Sequence, residues 1–502
     1  MHGLGKIKKF CFIVVCLLAA GSAALFAQTV SGKKDIAVFR LSHFGGIPYE
    51  TAQRLDSHIT AVITSFKRFN VIGMQYRLKS SDINLFIEKI KETKEQQSDI
   101  PETVLSGEEA FTRADWERLT GAFLVFIPQI TRYDEEIRYR DAVVDGKEVR
   151  QKYWEVKIDA AITIIDVSGA AGQRVLPISV QETAKYRSDA VDDAVDAVGN
   201  ALYAVIKFEP EFALASGIVE IDRRSNTLIM QLGRDMGIRE GDEYIIQKPV
   251  SGGGLQSLRE AGFFIVSEVH DGFSVGKIIY ATQPVVEGDS VKESPRLNLD
   301  LQGYGGITVP ITGIKEKRNS EYLRIQPTFG IRAVYRTSFH LGLLLGYEYA
   351  IQQPAGSPAA LKAKPLGFTP FGMGYIGINV YNFYASRFKI SPELHFCFAA
   401  IGVYAQPQNA FGTQRQGLIT ASQFGGRAGI SADYFVTRTF TIGMNTAIGY
   451  MHNTMSAQQA ADKLRGSGAL KTDDSARVPV YNWDILTSHL NFYLFLGITK
   501  RL

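Results

Sequence analysis

From about residue 296 to the end of the chain, apolar and polar side chains alternate with a period of two. This period is typical of β-strands that present one apolar face. In the segment 322–335, Leu323, Phe329 and Ile331 stand at odd positions, whereas Arg324 and Arg332 stand at even positions. The alternation recurs in eight segments, which begin near 297, 322, 340, 371, 388, 423, 440 and 486. Because eight is the smallest usual number of strands in such a protein, we predict an eight-stranded antiparallel transmembrane β-barrel over 296–502.

The connections between the predicted strands alternate in length. Long connections lie near 308–320, 351–366, 405–421 and 452–484, and short ones lie at 336–338, 382–386 and 436–438. Outer-membrane barrels have long loops outside the cell and short turns in the periplasm, so both ends of the barrel should be periplasmic. A soluble antiparallel barrel or sandwich stays open as an alternative, although such sheets bury their apolar face.

The polar faces of the predicted strands carry equal numbers of the two charges. The cations are Arg324, Arg332, Lys389 and Arg427, and the anions are Asp300, Glu348, Glu393 and Asp433. An eight-stranded barrel is just wide enough to be filled by side chains, and buried charges need partners. We therefore predict a structural salt-bridge network that plugs the lumen, with an open ion or proton path as the alternative.

This pattern resembles the small eight-stranded outer-membrane proteins of the OmpA and OmpW kind. The resemblance covers about the last two fifths of the chain. It implies an outer-membrane location, contact with outer-membrane lipid and insertion by the barrel assembly machinery. The chain ends Lys500-Arg501-Leu502, whereas barrels of this kind often end on an aromatic residue.

Residues 33–210 show the mixed pattern of an α/β domain. A buried-strand pattern at Ile36–Phe39 precedes a helical stripe over 48–66 and a second strand at Phe69–Ile72. Further strands follow at 122–127, 152–166 and 178–187, before a closing helix that begins near Ser188. This order resembles the periplasmic domain of the curli-secretion-pore family and the amino-terminal domain of the TolB protein. Members of the curli family are lipoproteins, and this chain lacks the corresponding cysteine, so secretion-pore activity is not carried over.

Residues 214–292 read as a small all-β module of short strands separated by glycines. The stretch Gly233 to Asp242 resembles a turn in the carboxy-terminal domain of the flagellar assembly protein T. In that family the module is an interaction domain beside a curli-pore-like domain. The resemblance therefore implies a periplasmic interaction region in front of the barrel.

The first 27 residues have the layout of a secretory signal peptide. Lys6, Lys8 and Lys9 precede an apolar run from Phe10 to Phe26, and Ala27 ends the segment. An uncleaved membrane anchor stays open as an alternative. The net charge of the 502-residue chain is only +4, which argues against nucleic acid as a partner.

The sequence contains no zinc-binding spacing, nucleophile elbow or phosphate-binding loop. We therefore expect no enzyme activity, no catalytic residue, no metal and no cofactor. The leading hypothesis is an outer-membrane barrel that anchors a periplasmic region for interaction or scaffolding. Its partner would be an unidentified periplasmic protein or further copies of the chain. The alternatives are a subunit of an oligomeric secretion or transport assembly, and a surface adhesin that acts through the long loops.

Overall fold

A computed structural model describes ten stretches of the chain. They are residues 30–43, 46–96, 100–144, 147–167, 172–252, 255–311, 326–351, 370–405, 417–453 and 489–502. The predicted signal peptide, Arg324 and most of the four long connections between barrel strands lie outside these residues. Within the described part of the chain, no helix is both long and apolar enough to span a membrane.

The first unit, called the α/β unit, is a mixed sheet covered by helices on both faces. Its strands are β1 (Lys34–Val38), β2 (Ser42–His43), β3 (Phe69–Gly73), β4 (Thr103–Ser106), β5 (Glu109–Thr112), β6 (Leu124–Val144), β7 (Lys147–Asp166) and β8 (Gln173–Ala184). Its helices are α1 (Tyr49–Ser65), α2 (Ile83–Gln96), α3 (Arg113–Gly121) and α4 (Arg187–Phe208). The main sheet has the order β3-β1-β6-β7-β8, in which β1 is parallel to both of its neighbours.

Strand β1 shows why this sheet needs helices on both sides. Ile36 and Val38 pack against α1 and α4, whereas Ala37 and Phe39 pack against α2 and α3. A strand that is buried on both faces is apolar at successive positions, as this one is. Helix α4 begins one residue before Ser188, and the Ser188 hydroxyl donates to Asp189 within the first turn.

The second unit, called the small barrel, is a closed barrel of six strands. They are β9 (Ala215–Asp222), β10 (Thr227–Met230), β11 (Glu243–Gly252), β12 (Leu255–Val269), β13 (Ser274–Ala281) and β14 (Ser290–Glu293). Tyr244 and Phe264 stack in its core with their ring centroids 5.4 Å apart. Arg68 of the α/β unit forms a buried two-point ion pair with Glu293, which fixes the small barrel to the first unit.

The third unit, called the large barrel, is a closed antiparallel barrel of eight strands. They are β15 (Leu299–Pro310), β16 (Gln326–Arg336), β17 (Leu341–Ile351), β18 (Pro370–Val380), β20 (Phe388–Ala405), β21 (Gly417–Thr437), β22 (Phe440–Asn453) and β23 (His489–Arg501). The pairing of β15 with β23 and of β18 with β20 completes the ring, and a short strand β19 (Phe383–Ala385) pairs with the start of β20. The predicted eight-stranded barrel is confirmed.

Candidate functional site

The large barrel has the reverse polarity of a water-soluble protein. Ile331, Leu345 and Leu496 point outward and are 67%, 64% and 64% exposed. Arg332, Glu348 and Glu393 point inward and are 7%, 2% and 2% exposed. Because successive side chains of a strand point to opposite faces, this separation follows directly from the alternation in the sequence. These charged side chains therefore lie inside the barrel, where they must find partners.

Arg427 on β21 occupies the middle of the lumen. Its Nη1 donates to Glu348 Oε1 over 2.7 Å, and its Nε donates to His395 Nδ1 over 2.8 Å. Its guanidinium lies 4.6 Å from the ring centroid of Tyr375 and 4.9 Å from that of Tyr493. A guanidinium over aromatic faces is attracted by their π electrons, so Arg427 is held by its charge partner and by its packing.

Two tyrosines fill the space beside Arg427. Tyr304 donates to Glu348 Oε1 over 2.8 Å, and the hydroxyls of Tyr304 and Tyr375 lie 2.9 Å apart. Tyr304 is paired across the sheet with Gly330, and Tyr375 is paired with Gly346. A Cβ at either glycine would collide with the neighbouring tyrosine ring. The two glycines thus allow the rings to lie against the inner wall.

A second ion pair lies on the inner wall beside this group. Arg332 Nη1 donates to both carboxylate oxygens of Glu393, over 3.0 and 2.8 Å. Asn445 also donates to Glu393 over 2.8 Å, and His395 Nε2 lies 3.2 Å from the same carboxylate. His395 thus links the Glu393 group to Arg427. Buried charges with several partners of this kind are stable only as complete networks.

The remaining charges of the network lie toward the end of the barrel with short turns. Lys389 Nζ lies 3.7 Å from Asp433 Oδ2. Asp300 lies 3.6 Å from Arg336 and 3.7 Å from Arg501. The cavity bordered by Asp300, Lys389 and Asp433 has a free volume of about 10 Å³. The cavity around Arg427 and Tyr304 has a free volume of about 10 Å³. Each holds about one water molecule, so this part of the lumen is filled by side chains.

The small barrel closes the same end of the large barrel with a buried carboxylate. Glu243 on β11 accepts from Arg336 Nη2 over 2.9 Å and from Arg501, and Arg296 Nε lies 2.7 Å from its other oxygen. Burial opposes the charged carboxylate, but the three guanidiniums together outweigh this and lower the pKa of Glu243 to about 2. Glu243 is therefore ionised at neutral pH and supplies negative charge to a cationic barrel end.

An apolar cluster surrounds this ion group at the same junction. Phe263 of the small barrel lies 5.6 Å from Phe435 of the large barrel, measured between ring centroids. The buried members of the cluster are Phe263, Ile265, Ile279, Phe339, Tyr384 and Phe435. Burial of aromatic rings stabilises such a contact in proportion to the apolar area removed from water. The small barrel thus caps the large one by apolar packing as well as by charge.

The four predicted cations and four predicted anions do not all pair with one another. Arg332 pairs with Glu393, Arg427 with Glu348, and Lys389 with Asp433, whereas Arg324 lies outside the described residues. Asp300 instead pairs with Arg336 and Arg501, which are not among the eight predicted charges. Arg336 and Arg501 stand at the inward-facing alternate positions of β16 and β23. Extending the alternation to the ends of these strands therefore predicts that both point into the lumen. Glu243 and Arg296 lie outside the eight strands, and nothing in the alternation indicates them.

Within the described residues, no group of three His, Cys, Asp or Glu side chains could hold a metal ion. Cys397 is fully buried in the lumen and packs with Met373, Tyr375 and Met451.

No protein-family model and no curated protein sequence matches the chain. Among solved structures, the chain is similar to Neisserial surface protein A (NspA), with 14% identity over 42% of this chain and 100% of that one, and a TM-score of 0.24. It is similar to a major outer membrane protein of Thermus thermophilus, with 12% identity over 41% of this chain and 98% of that one, and a TM-score of 0.24. For Ail, the attachment invasion locus protein of Yersinia pestis, the identity is 11% over 41% and 97%, and the TM-score is 0.22. The closed eight-stranded barrel of the chain is established by its own strand pairing.

Proposed function

We propose that the chain is a non-enzymatic outer-membrane protein in which the large barrel is an anchor for a periplasmic interaction or scaffolding region. The observation that carries the proposal is the reversed polarity of the large barrel. A closed barrel that exposes leucine, isoleucine and phenylalanine and buries paired charges is stable when lipid surrounds it. In water the same surface would be a large apolar patch of the kind that soluble monomers avoid.

The filled lumen favours an anchor over a pore. Arg427 and Glu348 occupy the centre, and Glu243 of the small barrel closes one end. We propose a signal peptide over 1–27, a periplasmic α/β domain over 33–210, a β module over 214–292 and the barrel over 296–502. The partners in this proposal are outer-membrane lipid, the barrel assembly machinery, and a periplasmic protein or further copies of the chain.

A second candidate function is supported by the hairpin of β6 and β7. Among the residues that the structure describes, the hairpin beyond its base pairs only with itself, and Ile137, Tyr139 and Val149 are exposed on it. Exposed strand edges with apolar side chains pair readily with other strands. This hairpin would suit contact between copies in an oligomeric secretion or transport assembly.

Fractionation followed by a mass measurement tests both candidates. The full-length protein is extracted from the outer-membrane fraction in mild detergent, and its native mass is measured by size exclusion with light scattering. A monomer supports the anchored interaction protein, and a ring of many copies supports the assembly. Absence of the protein from the outer-membrane fraction would contradict both.

A further inference from the structure

The hairpin of β11 and β12 lies across the closed end of the large barrel. At one side, Gly241 packs against Ser338, in the connection between β16 and β17. At the other side, the carboxylate of Glu260 lies 4.0 Å from Arg438 Nε, in the connection between β21 and β22. In the ring order β15-β16-β17-β18-β20-β21-β22-β23, these two connections are opposite each other. The hairpin therefore runs from one rim of the barrel to the facing rim.

The length of β12 carries it beyond the barrel wall. Eight strands about 4.8 Å apart and tilted by about 40° enclose a barrel roughly 16 Å across. The stretch from Val266, which bonds Gly241, to Glu260 spans roughly 20 Å at about 3.3 Å per residue, which is enough to cross this opening. The strand continues to Leu255, and its ladder with β11 is complete to Gly252. About 16 Å of paired hairpin thus projects past the rim.

Strand register determines which face of the projecting part is turned toward the barrel side. Glu243 pairs with Ile265, and both belong to the junction with the large barrel. The next pair on this face, Ile245 with Phe263, belongs to the same junction. A bulge after Ile246 then skips one residue of β12, so the first pair on this face beyond the bulge is Gln247 with Glu260. The pair after it on the same face is Pro249 with Leu258.

The opposite face of the hairpin belongs to the small barrel. Lys248, which pairs with Arg259, forms an ion pair of 3.0 Å with Asp289. Ser257, which pairs with Val250, lies on this same opposite face and is exposed. Leu258 and Ser257 are therefore neighbours in sequence that face opposite ways.

Leu258 is placed beside the edge of the apolar belt of the large barrel. It is 50% exposed, and its pair partner Pro249 is exposed as well. On the rim next to Arg438, Tyr434 and Val436 point outward and are 38% and 39% exposed. The apolar outer surface of the barrel thus extends to the rim that the hairpin passes.

We propose that the outer part of the β11–β12 hairpin around the Pro249–Leu258 pair rests on the phospholipid leaflet at the short-turn end of the large barrel, with Leu258 entering the headgroup region. The inference rests on the proposed function, because it requires the large barrel to lie in a bilayer. It adds a second membrane contact, made by the small barrel. A leucine presented on a paired hairpin gains by leaving water for the interface. The contact would fix the orientation of the small barrel relative to the membrane plane.

Site-directed fluorescence quenching tests the proposal. The chain that follows the predicted signal peptide, with Cys397→Ser, receives one new cysteine as Leu258→Cys, Ser257→Cys or Leu345→Cys. Each variant carries an environment-sensitive fluorophore and is folded into phosphatidylcholine–phosphatidylglycerol vesicles with or without lipids that bear a nitroxide near the headgroup or along the acyl chain. We expect headgroup nitroxides to quench the label at 258 at least threefold more than the label at 257.

The control at position 345 separates the two possible failures. Leu345 is 64% exposed on the outer face of β17, so acyl-chain nitroxides quench its label if the barrel spans the bilayer. No quenching at 345 would overturn the proposed function and this inference with it. Quenching at 345 together with equal or absent quenching at 257 and 258 would overturn the inference alone.

Discussion

At the scale of single residues, the lumen depends on complete pairing of its charges. Arg427 has Glu348 and His395 as hydrogen-bond partners and aromatic rings on its faces. Removal of one member of a buried pair leaves the other charged and without compensation, and this costs more than the pair itself contributes. The stability of the barrel should therefore respond strongly to single substitutions and weakly to paired ones.

Arg427→Met should destabilise the folded barrel by about 3–5 kcal/mol, because Glu348 is left as a buried, uncompensated anion. The measurement is equilibrium unfolding by urea in phospholipid vesicles. The double variant Arg427→Met with Glu348→Gln is the matched control, and it should recover a large part of this loss. Unchanged stability in the single variant would contradict the plugged lumen.

The ion group at the barrel end predicts a pH dependence that belongs to Glu243. Its pKa in the folded protein is about 2, against an ordinary value of 4.5. A lowered acid pKa stabilises the fold fully above the unfolded value and loses this contribution as the pH falls toward the folded value. The shift corresponds to about 3 kcal/mol at neutral pH.

Comparison of wild type with Glu243→Gln isolates this contribution from those of other acids. We expect the difference in the free energy of unfolding to be largest above about pH 5 and to shrink steadily toward pH 2. Denaturant unfolding at a series of pH values measures it. A difference that stays constant from pH 7 to pH 2 would show that protonation of Glu243 is not coupled to unfolding.

The odd or even position of a residue within its strand predicted most of the inward residues, because one face of each strand is the exposed outer surface of the barrel and the other lines the closed lumen. It also applies to Tyr493 and Phe495, which are aromatic yet line the lumen beside Arg427. The two residues were not predicted to face the lumen, because inward positions were recognised by polar side chains and these side chains are aromatic. Glu243 could not be found in this way, because its role arises only when two separate units dock.

At the scale of elements, the β6–β7 hairpin departs most from the sequence expectation. Strands were predicted at 122–127 and 152–166. The structure instead has two continuous strands, Leu124–Val144 and Lys147–Asp166. In the outer half of the hairpin the backbone groups bond across the two strands, and Ile137, Tyr139 and Val149 are exposed. Tyr133, Ile137 and Tyr139 alternate with charged residues in the sequence, so the continuation of β6 could have been predicted from this pattern.

Two glycines of the small barrel provide a matched test of how it docks on the α/β unit. Gly237 and Gly288 have φ angles of +82° and +83°. A Cβ on Gly237 would collide with the carbonyl oxygen of Phe66, whereas a Cβ on Gly288 would meet nothing within 4 Å. The two φ angles are nearly equal, whereas the space around the two glycines differs.

Gly288→Ala should cost about 1 kcal/mol, which is the penalty of a left-handed backbone for alanine. Gly237→Ala should cost a further ~1–3 kcal/mol, because the small barrel and the α/β unit must move apart. Thermal unfolding of the full chain, followed by tryptophan fluorescence, gives both values. Equal losses in the two variants would show that the close approach at Phe66 is not maintained in solution.

At the scale of the whole molecule, two buried ion groups join the three units in series. Arg68 holds Glu293 on β14, and the barrel arginines hold Glu243 on β11. These two strands are neighbours, and Tyr244 pairs directly with Glu293. The two ion groups that join the units are therefore held on one pair of neighbouring strands.

The same arrangement predicts the orientation of the molecule in the outer membrane. The α/β unit and the small barrel lie at the end with short turns, so they should be periplasmic, and the connection over 454–488 should face the outside. In a Cys397→Ser background, Ser467→Cys should react with a membrane-impermeant maleimide on intact cells. Val149→Cys, which replaces an exposed residue of the β6–β7 hairpin, should react only after the outer membrane is permeabilised. Labelling of position 149 on intact cells, with position 467 protected, would reverse the orientation and place the interaction region on the cell surface.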